Sequence, residues 1–202
     1  MANVVKNHSL FPTVVNEFKF DGNKELFESL KDLEVVLTIN QTVPRQTKNE
    51  NLNKLKSFKK LTNKILDTTK EVCKLYEYKY DKLDITNMWL NISNKNIFFP
   101  PHTHSNNIFS GVWYPFEDVS KTPIMFLDPR AGSNVMIPYT FNRTPLNSNM
   151  TQFPPTKGMG LIFPSWLMHY VPPSLSDRVS LSWNILLRGN YGNPNELQNA
   201  YI

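Results

Sequence analysis

The chain has 202 residues, is 40% hydrophobic and 12% aromatic, and has a formal net charge of +5 at pH 7. That length suits one domain with a sizeable core, the apolar and aromatic content excludes a disordered chain, and the lack of any run of about 20 apolar residues excludes a membrane-spanning helix. Cys73 is the only cysteine, which excludes an internal disulfide and a cysteine-based zinc site.

The N-terminus, MANVVKNHSLFPTVV, lacks the basic start and continuous apolar stretch of a signal peptide, so the expected location is the cytoplasm. Phe11–Phe20 reads as a strand. Residues 23–37 read as a helix, with Leu26, Phe27, Leu30 and Leu33 at helical spacing. Thr38–Lys48, which contains Pro44, reads as a loop. A long helix is expected from Glu50 to Tyr78, with Leu52, Leu55, Phe58, Leu61, Ile65, Val72 and Leu75 as its apolar stripe. The spacing is not a strict heptad, so the stripe is expected to pack on a sheet rather than on a partner helix. Lys54, Lys56, Lys59, Lys60 and Lys64 cluster here. They read first as the solvated face of that helix, and only secondarily as a nucleic-acid footprint.

From about residue 86 the character changes. Residues 1–85 hold 15 of the 22 Lys/Arg and 12 of the 17 Asp/Glu, leaving 7 and 5 for residues 86–202. The second part is a series of short runs broken by Pro, Gly and Asn. Strands are expected at Asn87–Ile92, Ile97–His104, Gly111–Tyr114, Ile124–Leu127, Asn134–Ile137, Gly160–Phe163 and Arg178–Leu187. The expectation is a single α+β domain, mainly β, over 1–202. A β sandwich or barrel spans 86–202, and the strand and helices of 1–85 buttress one outer face.

Three of the four histidines lie in this β part. His102 and His104 flank a threonine in IFFPPHTH, and positions i and i+2 of a strand face the same way. His169 follows 65 residues after His104. A close pair plus one distant histidine is a metal-ligand layout, and neutral imidazoles suit Fe, Zn or Cu. A usual non-haem iron site adds one carboxylate, yet none of Glu117, Asp118, Asp128, Asp177 and Glu196 sits two residues from either histidine. Asp128, ending a strand, is the best outsider, and three histidines are the favoured set. Such a site keeps the full +2 charge of a ferrous ion and welcomes an anionic chelator.

Arg178 lies nine residues after His169 and opens an alternating run. Val179, Leu181, Trp183 and Ile185 share one face, which must be core. Arg178, Ser180, Ser182 and Asn184 share the other. An arginine and a serine two apart form a carboxylate receptor, because guanidinium donates in a planar fork and the hydroxyl adds a third bond.

His102-x-His104, a distant His169 and then Arg178-x-Ser180 resemble the 2-oxoglutarate/Fe(II)-dependent oxygenase superfamily. More narrowly, the chain is similar to a bacterial and phage group of 2-oxoglutarate oxygenases. The motifs are Leu10-Phe-Pro-Thr, Pro101-His-Thr-His, Ser110-Gly-Val-Trp-Tyr, Asp128-Pro-Arg, Phe163-Pro-Ser-Trp-Leu-Met-His and Arg178-Val-Ser-Leu-Ser-Trp-Asn. The resemblance implies a double-stranded β-helix, a jelly-roll or cupin-like barrel, with helices on one side. It implies Fe(II) on His102, His104 and His169, with 2-oxoglutarate and O2 as co-substrates. Arg178 and Ser180 are the implied receptor for the distal carboxylate, with Asn91 and Tyr114 as further co-substrate residues. The implied reaction is hydroxylation of a peptide or small molecule with release of succinate and CO2, in a bacterium or a virus-infected host cell. The departure is His104, where the wider superfamily has Asp or Glu. Trp113, Trp166 and Trp183 are either pocket wall or aromatic core.

Other readings stay open. A cupin shares the barrel but usually places Glu four or five residues after its second histidine, where this chain has Ile108 and Phe109. A three-histidine zinc hydrolase or lyase explains the histidines and leaves Arg178-x-Ser180 without a role. A degenerate barrel acting as a binding module is a third. Loops such as Pro138–Lys157 are expected to read the substrate.

Overall fold

The computed structural model describes residues 5–36, 44–118, 120–130 and 135–202. In chain order the elements are β1 (Asn16–Lys19), α1 (Lys24–Lys31), β2 (Val35–Val36), β3 (Arg45–Thr47), α2 (Lys59–Leu75) and β4 (Lys82–Ser93). Then follow β5 (Phe99–His102), β6 (Phe109–Trp113), β7 (Ile124–Leu127), β8 (Met150–Phe153) and β9 (Met159–Pro164). β10 (His169–Val171), β11 (Arg178–Arg188), β12 (Asn190–Tyr191) and β13 (Ala200–Tyr201) complete the chain. Seven strands make a large sheet in the order β1-β9-β6-β11-β4-β3-β2, and four make a smaller one, β5-β10-β7-β8. Neighbouring strands in both run antiparallel.

Both faces of the large sheet are covered, so its side-chain alternation sorts residues between two interiors. On the outer side Phe109, Trp113, Ile162, Leu181, Trp183 and Ile185 join Leu26, Phe58, Leu61, Ile65 and Val72 of the helical layer in one buried cluster. On the inner side Val112, Tyr114, Leu161 and Phe163 meet Ile124, Phe126 and Val171 of the smaller sheet in a second cluster. The two sheets therefore face each other as the halves of a flattened barrel. The outer layer comes close at Gly111. A Cβ there would lie 2.3 Å from Trp183 Cζ2 and 2.6 Å from the Leu161 carbonyl oxygen.

The helical layer departs from the expected one. α1 starts where Asn23 Oδ1 accepts from the Leu26 amide (3.3 Å), an N-cap. It stops at Lys31, short of residue 37, because the β-branched Val35 and Val36 pair with β3 instead. The segment expected as a loop thus supplies β3, while its residues 38–43 lie outside those described. The expected helix from Glu50 begins as two single 3₁₀ turns, Leu52–Lys54 and Lys56–Phe58, separated by an extended Leu55 (φ −75°, ψ 139°). Breaking the helix there lets both Leu52 and Phe58 reach the same core, each 0% exposed. Leu75, placed in the apolar stripe, is exposed. Lys54, Lys56, Lys59 and Lys60 are exposed as a solvated face.

In the β part, Ile124–Leu127 is a strand as expected, and the other paired runs differ by a few residues at their ends. The expected strand Asn134–Ile137 does not form. Asn134 lies outside the described residues, and Val135, Met136 and Ile137 are exposed and unpaired.

Candidate active site

The three histidines come together at one end of the inner space. His102 closes β5 and His169 opens β10, and the two are direct partners across that antiparallel pair. His104 lies two residues beyond the end of β5, with its amide donating to the Ser165 carbonyl (2.9 Å). The ring centroids are 4.3 Å apart for His102–His169, 5.1 Å for His104–His169 and 5.2 Å for His102–His104. One ring nitrogen of each lies within 4.8 Å of the others.

Each Nδ1 faces a carbonyl oxygen. His102 Nδ1 is 2.7 Å from Pro100 O, His169 Nδ1 is 2.8 Å from Leu167 O, and His104 Nδ1 is 2.5 Å from Asn184 Oδ1. A carbonyl oxygen can only accept, so each Nδ1 holds the proton and each Nε2 presents a lone pair. Burial pushes the His169 imidazole down to about 3 and also lowers His104. Both are therefore neutral near pH 7, the form that binds a metal. Among the described residues no Asp or Glu joins the cluster. Asp128, the best outsider by sequence, is taken up by Arg130, whose Nη2 donates to Oδ2 at 2.6 Å and Nε to Oδ1 at 2.9 Å. The residues thus fit a divalent cation of the borderline class that imidazole favours.

The histidines open into a cavity of about 100 Å3, whose lining includes Asn91, Tyr114, Arg178 and Ser180. All seven residues singled out by sequence thus meet in one space. Arg178 is 4% exposed, with Nη2 donating to the Tyr114 hydroxyl (3.1 Å) and Nε 3.7 Å from Asp118 Oδ2. Tyr114 is buried, which raises its phenol pKa and keeps it protonated, while the arginine beside it opposes the shift. Asp118 is held from its other oxygen by the amide (2.9 Å) and hydroxyl (2.7 Å) of Ser120. Asn91 has little spare capacity. Its Oδ1 accepts from Gln46 Nε2 (3.0 Å) and Trp89 Nε1 (3.1 Å), and its Nδ2 donates to Ser182 Oγ (3.0 Å).

Of the three tryptophans weighed as core or pocket wall, two are core and one is neither. Trp113 and Trp183 belong to the outer core, Trp166 is 56% exposed, and the indole that lines the cavity is Trp89. Trp89 and Gln46 were not legible as site residues. Trp89 lies on the inner face of β4 two residues before Asn91, and Gln46 reaches the cavity only through the pairing of β3 with β4. Asp118, one of the five acidic residues of the β part, neighbours the arginine and not the histidines.

Residues 87–184 match the family model described as "Putative 2OG-Fe(II) oxygenase". That stretch contains all three histidines, Arg178 and Ser180. Over that stretch, just under half of the 202 residues, the chain is similar to the 2OG-Fe(II) oxygenase family. Members use Fe(II) and 2-oxoglutarate, and the neutral imidazoles and buried arginine described above suit those two partners. No curated protein sequence matches significantly. Among solved structures, a Pseudomonas putida prolyl-4-hydroxylase has a TM-score of 0.60 at 11% identity, over 87% of this chain and 94% of that one. A Trichoplax adhaerens prolyl hydroxylase, in complex with a hypoxia inducible factor peptide fragment, has a TM-score of 0.58 at 11% identity, over 85% and 83%. HygX from Streptomyces hygroscopicus, with nickel, 2-oxoglutarate and hygromycin B bound, has a TM-score of 0.57 at 12% identity, over 87% and 83%. These likenesses establish the fold, a double-stranded β-helix with helices packed on its larger sheet.

Proposed function

We propose that this oxygenase holds Fe(II) on His102, His104 and His169, anchors 2-oxoglutarate on Arg178 and Ser180, and hydroxylates a peptide or small molecule. The observation that supports this reading is one cavity with a ring nitrogen from each of three histidines within 4.8 Å of the others and a buried guanidinium in its wall. Bound iron with 2-oxoglutarate and O2 supplies an oxidative decarboxylation, to succinate and CO2, coupled to hydroxylation of a substrate C–H bond.

The chain's own residues bind, orient and keep the site dry. Arg178 is already turned by Tyr114, so its remaining donors are available to a carboxylate without a search over rotamers. Ser180, 4% exposed on the same face of β11, adds a hydroxyl. Neutral imidazoles leave the cation's double charge uncompensated, and the dianionic co-substrate offsets it. Phe163, Val112, Ile124 and Val171 line the space with apolar surface, which strengthens each polar contact made inside. Asn91 and Tyr114 act on the co-substrate pocket through Ser182 and Arg178 respectively.

The substrate class rests on the neighbours, one of which has a peptide bound and another hygromycin B. No described helix is long and apolar enough to cross a membrane, and a cytoplasmic location, bacterial or in a virus-infected host, accompanies this reading. The test is anaerobic addition of Fe(II) and then 2-oxoglutarate to the apo-protein, following the visible charge-transfer band of the chelate. A band that needs 2-oxoglutarate and weakens in Arg178→Ala supports the assignment. Bound metal without a band would leave a three-histidine cupin or zinc hydrolase as the better reading.

A further inference from the structure

We infer that Asn184 is the positioning residue that makes His104 a metal ligand, by holding its ring as the Nδ1–H tautomer through an amide that cannot turn over. The inference rests on the three-histidine reading given above and says how the third histidine works in a place where the superfamily has a carboxylate.

The two other histidines take their orientation from backbone carbonyls two residues earlier in the chain. His104 has no such local partner. Its Nδ1 lies 2.5 Å from Oδ1 of Asn184, a residue 80 positions away on β11. A side-chain amide can present either oxygen or nitrogen, and the two faces have opposite consequences. An oxygen fixes the proton on Nδ1 and frees Nε2 for the metal. An NH2 group would demand the lone pair of Nδ1 and leave the proton on Nε2, where no cation can bind.

The surroundings select the oxygen. Ser110 Oγ donates to Asn184 Oδ1 at 2.7 Å, and Ser165 Oγ lies 2.8 Å behind Ser110, with Ser110 and Ser165 both 0% exposed. On the other side of the amide, Asn184 Nδ2 donates to Asn87 Oδ1 at 2.8 Å. Turning the amide over would set NH2 against the protonated Nδ1 of His104 and oxygen against oxygen at Asn87, whereas the Ser110 hydroxyl can accept as well as donate. Asn184 is 5% exposed, so water would not repair those clashes.

Asparagine also differs from the carboxylate that often backs a metal-bound histidine. It orients the ring without adding negative charge, so the site keeps the cation's full charge for the anionic co-substrate. Asn184→Asp therefore separates the two roles: it keeps an acceptor for His104 while adding one negative charge beside the metal.

The experiment uses Cu(II) as a probe of the full chain and pulsed EPR to count the remote nitrogens of bound imidazoles, with metal affinity measured in parallel. Three remote nitrogens are expected in the unaltered protein and in Asn184→Asp. Two are expected in Asn184→Leu, with metal affinity about 10- to 100-fold lower. Asn87→Ala frees the amide without touching His104, and a loss of the third imidazole there gives the same answer should Asn184→Leu fail to fold. The competing outcomes are distinct. Three remote nitrogens and unchanged affinity in both Asn184→Leu and Asn87→Ala overturn the inference alone. Two in the unaltered protein overturn both the inference and the three-histidine reading on which it rests. 2-Oxoglutarate binding separates charge from geometry: it weakens in Asn184→Asp although all three imidazoles remain.

Discussion

At the scale of single residues the site is a set of pairs that lie close in space and far apart in sequence. Arg178 meets Tyr114 and Asp118 at the bottom of the cavity. Its replacement by lysine keeps the charge and loses the planar fork. Arg178→Lys is expected to raise the Kd for 2-oxoglutarate, read from the charge-transfer titration, by about 10- to 100-fold, since a hydrogen bond to a charged group contributes about 1.5–3 kcal/mol. An unchanged Kd would place the co-substrate elsewhere. His169 gives a pH prediction. Its imidazole titrates near 6.5 in the unfolded chain and is pushed down to about 3 by burial in the folded apo-protein. Between those values the unfolded state holds the extra proton, so stability present above about pH 6.5 is lost as pH falls, by at most about 1.4 kcal/mol per pH unit for this one group. His104 is shifted in the same direction and adds to the slope. His169→Gln should flatten, without abolishing, the fall in apo-protein Tm between pH 6.5 and 4.5, and parallel curves would refute the assignment. The histidines and Arg178-x-Ser180 were legible because their spacing along strands encodes a shared face. Gln46 was not, because it reaches Asn91 only through the pairing of β3 with β4, and Asp118 was not, because it lies outside the strands and meets Arg178 only in the folded chain.

At the scale of elements, legibility followed the length of the periodic signal. β11 shows strict alternation over Arg178–Ile185, and its face assignments hold: Leu181, Trp183 and Ile185 are each 0% exposed on the outer side. β10 has three residues and is followed by Pro172 and Pro173, too little for a period of two to register. β2 and β3 pair only through contacts that sequence spacing does not encode. The long helix was overestimated because Leu52, Leu55 and Phe58 keep helical spacing even where tertiary packing opens the backbone at Leu55. The register of β6 against β11 places Gly111 opposite Trp183, and the indole occupies the space of the missing side chain. Gly111→Ala should therefore lower the urea midpoint by about 1–3 kcal/mol of stability with the m-value unchanged, as overpacking does. A neutral result would mean that the indole moves aside at no cost. Because Trp183 lies on the outer face, metal affinity of the folded fraction should change far less than stability.

At the scale of the whole molecule the outer buried cluster shares no residue with the lining of the histidine cavity, and this decides what metal removal does. A small zinc domain unfolds without its ion because the ion replaces a core. Here the outer cluster includes eleven described side chains that are 0% exposed, among them Leu26, Leu52, Phe58, Leu61, Ile65 and Trp183. The apo-protein should therefore keep its fold, with the three histidines held by Pro100, Leu167 and Asn184 in its absence. Metal binding then adds stability only by mass action, RT ln(1 + [L]/Kd), which is about 2.7 kcal/mol at a hundredfold excess over Kd. A divalent metal should raise Tm in proportion to the logarithm of its concentration. 2-Oxoglutarate should add a second increment only when metal is present, since the chelating end needs the cation. Chelator should return Tm to the apo value with the far-UV circular dichroism of the apo-protein still folded. Collapse of the spectrum on metal removal would mean that the ion is structural, and an increment from 2-oxoglutarate without metal would mean that Arg178 alone provides most of its binding.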